Sequence, residues 1–438
     1  MGASRRDFLK GLGASAVVLA SSDVIADLIA QSAKGQPLQS KFKGLADIAL
    51  AEAKRGGCSY GDIRFTRTMT LPSVAVTGGA SEAGGGGRGG GRGGRGGGGG
   101  GGGFGGRGGA IGPPNEPDGT PRAAGFGVRV IHGGVWGFAS SPIVSEDEIR
   151  RIARLAIDVA KASAIAKKVD VQLAPVPPYQ LYWSTALVKD PTTMSEADKQ
   201  RALHTAVDAA LKHTDVVSAS ATVTFGSEWK YFASTEGSYI EQDTFTTMPS
   251  FSVTAKRGDA TLTRALQIPG GTGGWELVEE ARMISSVDQV VDEAFELAAA
   301  TPMAAGVRDL VLSPSHLALT IHEIVAHATE LDRVMGYEAN YAGTSFVKVT
   351  DLGKLKYGSK LFNITGDKVR PGGRATVGYD DDGVKTTQFP IVRDGILVGL
   401  STNREMAHYI GEKESRGCCY ADSWASVPFP QYRVPFAA

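Results

Sequence analysis

Two histidines and two glutamates fall within one nine-residue run, His322-Glu323-Ile324-Val325-Ala326-His327-Ala328-Thr329-Glu330. These are the side chains a divalent-metal hydrolase uses. Neutral imidazoles hold a borderline-soft ion such as zinc, the ion makes a bound water acidic, and a nearby carboxylate takes its proton. The spacing complicates that chemistry. Histidines at i and i+4, as in the familiar zinc-peptidase signature, lie about 40° apart on a helix. Here they stand at i and i+5, about 140° apart on a regular helix, too far round to share one ion easily. A single π-type turn between them removes about 100° and brings both rings to one side. Without it, the run describes a half-buried amphipathic helix whose histidines are satisfied by carbonyls and water. Glu323 and Glu330 share a side of a regular helix.

The element that must position them spans about Pro314 to Arg333. Ser313 reads as its N-cap, and Pro314 falls at the first helical position, where its missing N–H costs nothing. Leu317, Ile321, Ile324, Ala328 and Leu331 recur at spacings of three and four, which predicts one buried apolar face.

The pattern H-E-x-x-x-H-x-x-E, continued by Leu331-Asp332-Arg333, resembles the metal motif of the TldD/PmbA family of metallopeptidases. The likeness extends to Gly125-Phe126-Gly127-Val128-Arg129-Val130-Ile131 with Gly134-Val135-Trp136-Gly137-Phe138-Ala139-Ser140. It also takes in Asp380-Asp381-Asp382-Gly383-Val384, the run Ile391 to Leu397, Glu414-Ser415-Arg416-Gly417, and Tyr420 to Pro428. It covers the chain from about Phe42 to Pro430. The resemblance implies Zn2+ held by His322 and His327, Glu323 as general base, and unfolded or short peptides as substrates. It implies a dimer enclosing the site, either a homodimer or a heterodimer with a family paralogue. The family's third ligand is a cysteine near the C-terminus of a longer chain. This sequence departs from the family after Pro428-Phe429-Pro430 and ends at Ala438, so the resemblance implies a truncated C-terminal domain without that ligand. Cys419 lies well before the register of the missing cysteine. The alternative function is a non-catalytic partner subunit of a TldD/PmbA-type complex: the retained His-Glu-His pattern opposes it, while the missing C-terminal ligand segment argues for weak zinc binding and for peptidase activity that is slow or lost.

At 438 residues, the chain is long enough for two or three domains. Lysine plus arginine and aspartate plus glutamate each number 46, so no overall charge argues for nucleic acid or an anionic membrane. The three cysteines, Cys58, Cys418 and Cys419, make no disulfide framework and read as free thiols. Ser4-Arg5-Arg6-Asp7-Phe8-Leu9-Lys10 resembles a twin-arginine export motif, and the apolar run after it is too short for a membrane span. Residues 1–33 are therefore expected as a signal peptide, and the mature protein as periplasmic or extracytoplasmic.

The expected fold class is α+β and multi-domain, with antiparallel sheets, packed helices and the metal motif on a helix of the C-terminal domain. An N-terminal domain is expected at 42–172, interrupted at about 78–122 by a Gly/Arg-rich tract that can form no core. Such a tract can also bind RNA by charge and stacking, but it holds a single aromatic, Phe104, and nucleic acid is not expected as a partner. A central domain is expected at 190–300 after the prolines of 175–191, and an incomplete C-terminal metallopeptidase domain at 305–438. Within them, strands are expected at 60–66 and 71–76, at 216–224 and 228–234, and at 239–247, 251–257 and 260–268. The remaining histidines, His132, His204, His213, His316 and His408, have no ligand partners in sequence. There is no Walker loop, dinucleotide fingerprint or Gly-x-Ser-x-Gly nucleophile site.

Overall fold

The computed structural model describes residues 41–79, 122–339 and 343–430. The expected signal peptide, residues 80–121 of the Gly/Arg-rich tract and the last eight residues of the chain lie outside them. Helix α1 (Lys41–Arg55) buries Phe42, Ala46, Ala49, Leu50 and Ala53 along one side, and Gly57, at φ 74°, lets the chain turn away after it. Strand β1 (Tyr60–Gly79) comes next as one strand of 20 residues where the pattern suggested two. Pro72 and Ser73 do not end it; they are absorbed as a register shift between Leu71 and Val74. Strands β2 (Arg122–His132) and β3 (Val135–Ser141) form a hairpin whose turn residues Gly133 and Gly134 take φ 60° and 78°, as a type I′ turn requires. Helix α2 (Glu146–Ser163) starts at Ser145, whose side chain accepts from the Glu148 N–H.

The chain continues through β4 (Gln180–Ser184), α3 (Glu196–Ala210), β5 (Val216–Ser234), β6 (Tyr239–Arg257), β7 (Ala260–Ala265), β8 (Gly271–Thr272), α4 (Glu276–Glu280) and α5 (Val287–Ala299). Here too β5 and β6 are each one strand of 19 residues instead of the expected pairs. Gly226 and Pro249 fall in the gaps between those pairs, yet Gly226 stays paired with Thr246 and Pro249 with Val223. Together these strands form an eight-stranded sheet ordered β3-β2-β1-β5-β6-β4, with β7 and β8 also against β6. It is continuous through the regions read as the first and central domains. One core, with Phe42, Phe65, Ile149 and Tyr231, packs under α1 and α2; a second, with Leu203, Phe251, Trp275 and Val290, packs under α3 and α5.

The C-terminal region holds α6 (Pro314–Ile321), α7 (Leu331–Val334), a small sheet of β9 (Ile364–Asp367), β10 (Gln388–Arg393) and β11 (Ile396–Leu397), and the pair β12 (Cys419–Tyr420) and β13 (Phe429–Pro430). Val325, Leu331, Ile391, Leu397 and Leu400 form its core. The architecture is mixed α+β with mainly antiparallel sheets.

Strand alternation places Ile63 and Phe65 in the first core and turns Asp62 and Arg64 to the other face. Asp62, Arg64, Arg129 and Lys230 are nevertheless buried, because the Asp380-Asp381-Asp382 turn of the C-terminal region inserts over them. Arg129 reaches Asp62 at 2.7 Å and Asp382 at 2.8 Å, and Lys230 reaches Asp381 at 2.9 Å. Opposite charges thus meet where isolated ones would be very costly to bury. This polar clasp fixes the C-terminal region on the large sheet.

Candidate metal centre

Helix α6 begins at Pro314, but the Ser313 hydroxyl lies 3.0 Å from that of Ser315 and makes no capping bond. The helix is regular to Ile321. From His322 to Ala326 it widens into a π turn, and the His327 N–H donates to the His322 carbonyl five residues back. This is the i→i−5 bond that the spacing of the histidines calls for. Their rings consequently meet with centroids 4.3 Å apart at an interplanar angle of 72°. One ligand atom from each of His322, Glu323 and His327 lies within 4.8 Å of the others.

The same turn rewrites the buried face. Ile324, expected inside, is 51% exposed, and Val325 takes its place at 1%. One extra residue in a turn rotates the downstream chain by about 100°. Nor do the two glutamates share a side, because a 3-10 turn over His327–Thr329 comes next and Glu330 leaves the helix with φ −70° and ψ 117°. Glu323 is 61% exposed; Glu330 is 2% exposed. Thr329 Oγ1 donates to the Val325 carbonyl at 2.9 Å, closing the helix end, and the main chain beside Glu330 bonds Ser401.

Both carboxylate oxygens of Glu330 lie 3.2 Å from Nδ1 of His327. A carboxylate there selects the tautomer with its proton on Nδ1 and leaves Nε2 as the lone-pair donor. Arg333 braces Glu330 at 3.2 Å and Glu338 at 3.2 Å. Burial, then the carboxylates of Glu338 and Glu330, push Asp332 up to about 8. That direction favours its protonated form, which adds no further negative charge beside Glu330. Burial and then the adjacent His327 hold the His322 imidazole below its ordinary value, favouring the neutral form that ligates. Two neutral imidazoles suit zinc, with the Glu323 carboxylate beside them, and the 4.8 Å envelope of the three is close to the roughly 4 Å that two zinc–ligand bonds span.

None of the other histidines joins this group, and His213 pairs instead with Asp288 at 3.0 Å. Cys418 and Cys419 are buried elsewhere in the C-terminal region; the Cys419 N–H donates to Asp380, and burial pushes its thiol well up. The supporting roles of Glu330, Arg333, Asp332 and Glu338 were not read from the sequence. Spacings of three from His327 to Glu330 and from Glu330 to Arg333 carry a local signal for the first two. Glu338 has none. Among the described residues, no helix is long and apolar enough to cross a membrane.

An α+β protein with imidazole and carboxylate donors gathered on a widened helical turn has the donor set of a metal-dependent hydrolase. Residues 119–160, 189–301 and 305–431 match domain 1, the central domain and the C-terminal domain of the PmbA/TldA metallopeptidases, and the chain belongs to this PmbA/TldD family. A metalloprotease of Synechocystis is 30% identical over 298 residues, 66% of this chain and 60% of that protein. A metalloprotease of Methanothermobacter thermautotrophicus is 28% identical over 296 residues, covering 67% and 61%. A zinc metalloprotease TldD homologue of Saccharolobus solfataricus is 22% identical over 296 residues, covering 66% and 60%. The chain thus spans about three fifths of the length of these relatives. Two solved structures, both described as candidate modulators of DNA gyrase, share the fold. The one from Thermotoga maritima superposes with a TM-score of 0.58 at 15% identity, covering 88% of this chain and 76% of its own. The one from Bacteroides thetaiotaomicron gives 0.55 at 13% identity, covering 86% and 75%.

Proposed function

We propose that this chain is a zinc-dependent peptidase of the PmbA/TldD type, acting on unfolded or short peptides outside the cytoplasm after twin-arginine export. The observation that carries the reading is the π turn, which brings His322 and His327 face to edge despite their spacing. His322 and His327 would hold the ion. When bound, zinc supplies Lewis acidity that polarises a peptide carbonyl and acidifies water. Glu323 is the exposed carboxylate of the group, 3.9 Å from His322 Nε2, and in this reading it would take a proton from the attacking water and pass it to the leaving amine. Glu330 holds His327 and stays out of the proton transfer. The names of the metalloprotease relatives support the activity, and that of the Saccharolobus protein supports zinc. Association with a second copy or a family paralogue would enclose a centre that is open on the Glu323 side.

The test is zinc content and hydrolysis of an unstructured peptide by the full chain, beside Glu323→Gln and His322→Ala. The reading expects zinc uptake and turnover in the first, zinc without turnover in Glu323→Gln, and neither in His322→Ala. A chain that takes up no zinc and cleaves nothing overturns it in favour of a non-catalytic partner subunit. Full-rate hydrolysis by Glu323→Gln removes Glu323 as the base.

A further inference from the structure

A cleft of about 760 Å³ lies between the central and C-terminal regions, bounded by the loop after β7, by α4, by the first turns of α6 and by residues 370–374. That volume falls within the range of ligand sites. Part of its lining is the helix that leads to the metal group. Ser315 and Ala318 line it, and the His322 N–H donates to the Ala318 carbonyl, so this stretch of helix leads directly into the donor group. The rim is fixed where two glycine loops touch. A Cβ on Gly271 would stand 1.8 Å from the Gly372 carbonyl oxygen, and Thr272 Oγ1 donates to the Gly373 carbonyl at 2.9 Å. Two guanidinium groups, Arg370 and Arg374, line the cleft, and among the described residues the only acid lining it is Glu280. Arg374 is half-buried and Arg370 exposed. Guanidinium groups recognise carboxylates through paired, charge-assisted hydrogen bonds.

We propose that this cleft seats the part of a peptide chain flanking the cleaved bond, and that Arg370 and Arg374 select a carboxylate in it. That carboxylate is an aspartate or glutamate side chain or the terminal carboxylate of the peptide. The inference rests on the peptidase reading of His322, Glu323 and His327, but binding tests it without turnover.

The experiment measures fluorescence anisotropy of the full chain with labelled, unstructured peptides of one length. The four probes carry internal glutamates with an amidated end, glutamines with a free C-terminal carboxylate, glutamines with an amidated end, and lysines with an amidated end. Glutamate probes binding about tenfold tighter than neutral amidated ones assign the site to side chains; the same gain for the free-terminus probe assigns it to the chain end. The double variant Arg370→Gln, Arg374→Gln should abolish that gain and leave the neutral probe unchanged. Arg370→Gln alone, at an exposed position, should remove part of the gain without affecting folding. Ser315→Trp, which fills the cleft, should weaken every probe. Undiminished charge selectivity in the double variant, or tightest binding of the lysine probe, overturns the proposal. Zinc-dependent hydrolysis without charge selectivity sinks it and spares the peptidase reading. Arginine-dependent selectivity in a chain that holds no zinc does the reverse.

Discussion

The carboxylate of Glu330 faces Nδ1 of His327 with both oxygens at 3.2 Å, and Arg333 holds that carboxylate in turn at 3.2 Å. A ligand imidazole held by a buried carboxylate is fixed in ring angle and tautomer before any ion arrives. Such outer partners are worth about 10–100-fold in metal affinity. Glu330→Gln should therefore lower zinc affinity by about that factor, as read by chelator competition, while Glu323→Gln stays near the parent value. Parent-like affinity in both Glu330→Gln and Glu330→Ala would show that the contact does not orient the ligand.

The π turn yields a second expectation. Ile324 is its exposed residue, and deleting it would leave the histidines at i and i+4, about 40° apart on a regular helix. The deletion also takes one residue of length from the segment before the bonds to Ser401. Zinc binding should survive within about tenfold, since i,i+4 histidines form a zinc site on other helices, while thermal stability should fall. Loss of all zinc from a folded deletion variant would mean that the widened turn supplies more than ring proximity.

That turn also shows where the sequence was legible. The donor residues, and the need for an i→i−5 bond if they were to meet, can be read from spacing alone. Which residue would turn outward cannot. The stripe Leu317, Ile321, Ile324 assumed a uniform period, and the inserted residue put Val325 inside in place of Ile324. Long strands failed for a different reason. Gly226 and Pro249 are breakers by local preference, but pairing on both sides of β5 and β6 overrides it. Burial of Asp62 and Arg64 was illegible because the covering turn lies some 300 residues away in sequence.

The interdomain clasp should be sensitive to the loss of a single partner. Arg129 bonds Asp62 and Asp382, all three buried, so Arg129→Met leaves two carboxylates without their shared counter-charge. Removing one member of a buried ion pair costs about 3–5 kcal/mol. Urea denaturation should show a loss of that order, or detachment of the C-terminal region as a separate transition. Arg150→Met, which breaks the solvent-facing pair with Glu146, is the control and should be indistinguishable from the parent. Equal effects of the two would remove the clasp as a stabilising element.

Export is tested through the residues that suggested it. Arg5 and Arg6 precede Phe8-Leu9-Lys10, and the paired guanidinium geometry is not reproduced by ammonium groups. Replacing both by lysine should retain the precursor in the cytoplasm, as read by fractionation and immunoblotting. Mature protein outside at the parent level would refute the signal.

Asp381 gives the clasp a pH signature. Burial pushes its carboxyl up, but the charges of Lys230 and Arg64, the Lys230 hydrogen bond and the Ala421 N–H together outweigh burial and hold it at about 2, below the ordinary 3.8. A depressed folded value means that, between the two, the unfolded chain binds the proton more readily. The contribution is thus fully present above pH 3.8 and lost as pH falls through 2. Its size, at 1.36 kcal/mol per pH unit, is roughly 2 kcal/mol. Acid titrates many carboxylates together, so the measurement is the stability difference between parent and Asp381→Asn at each pH. That difference should be largest from pH 5 upward and shrink by roughly 2 kcal/mol towards pH 2. Lys230→Met removes the leading counter-charge and leaves Arg64 and the Ala421 N–H to oppose burial. In that background the pH-dependent part of the Asp381 contribution should shrink. A pH-independent difference between parent and Asp381→Asn would mean that Asp381 is not held ionised by Lys230 in the folded protein.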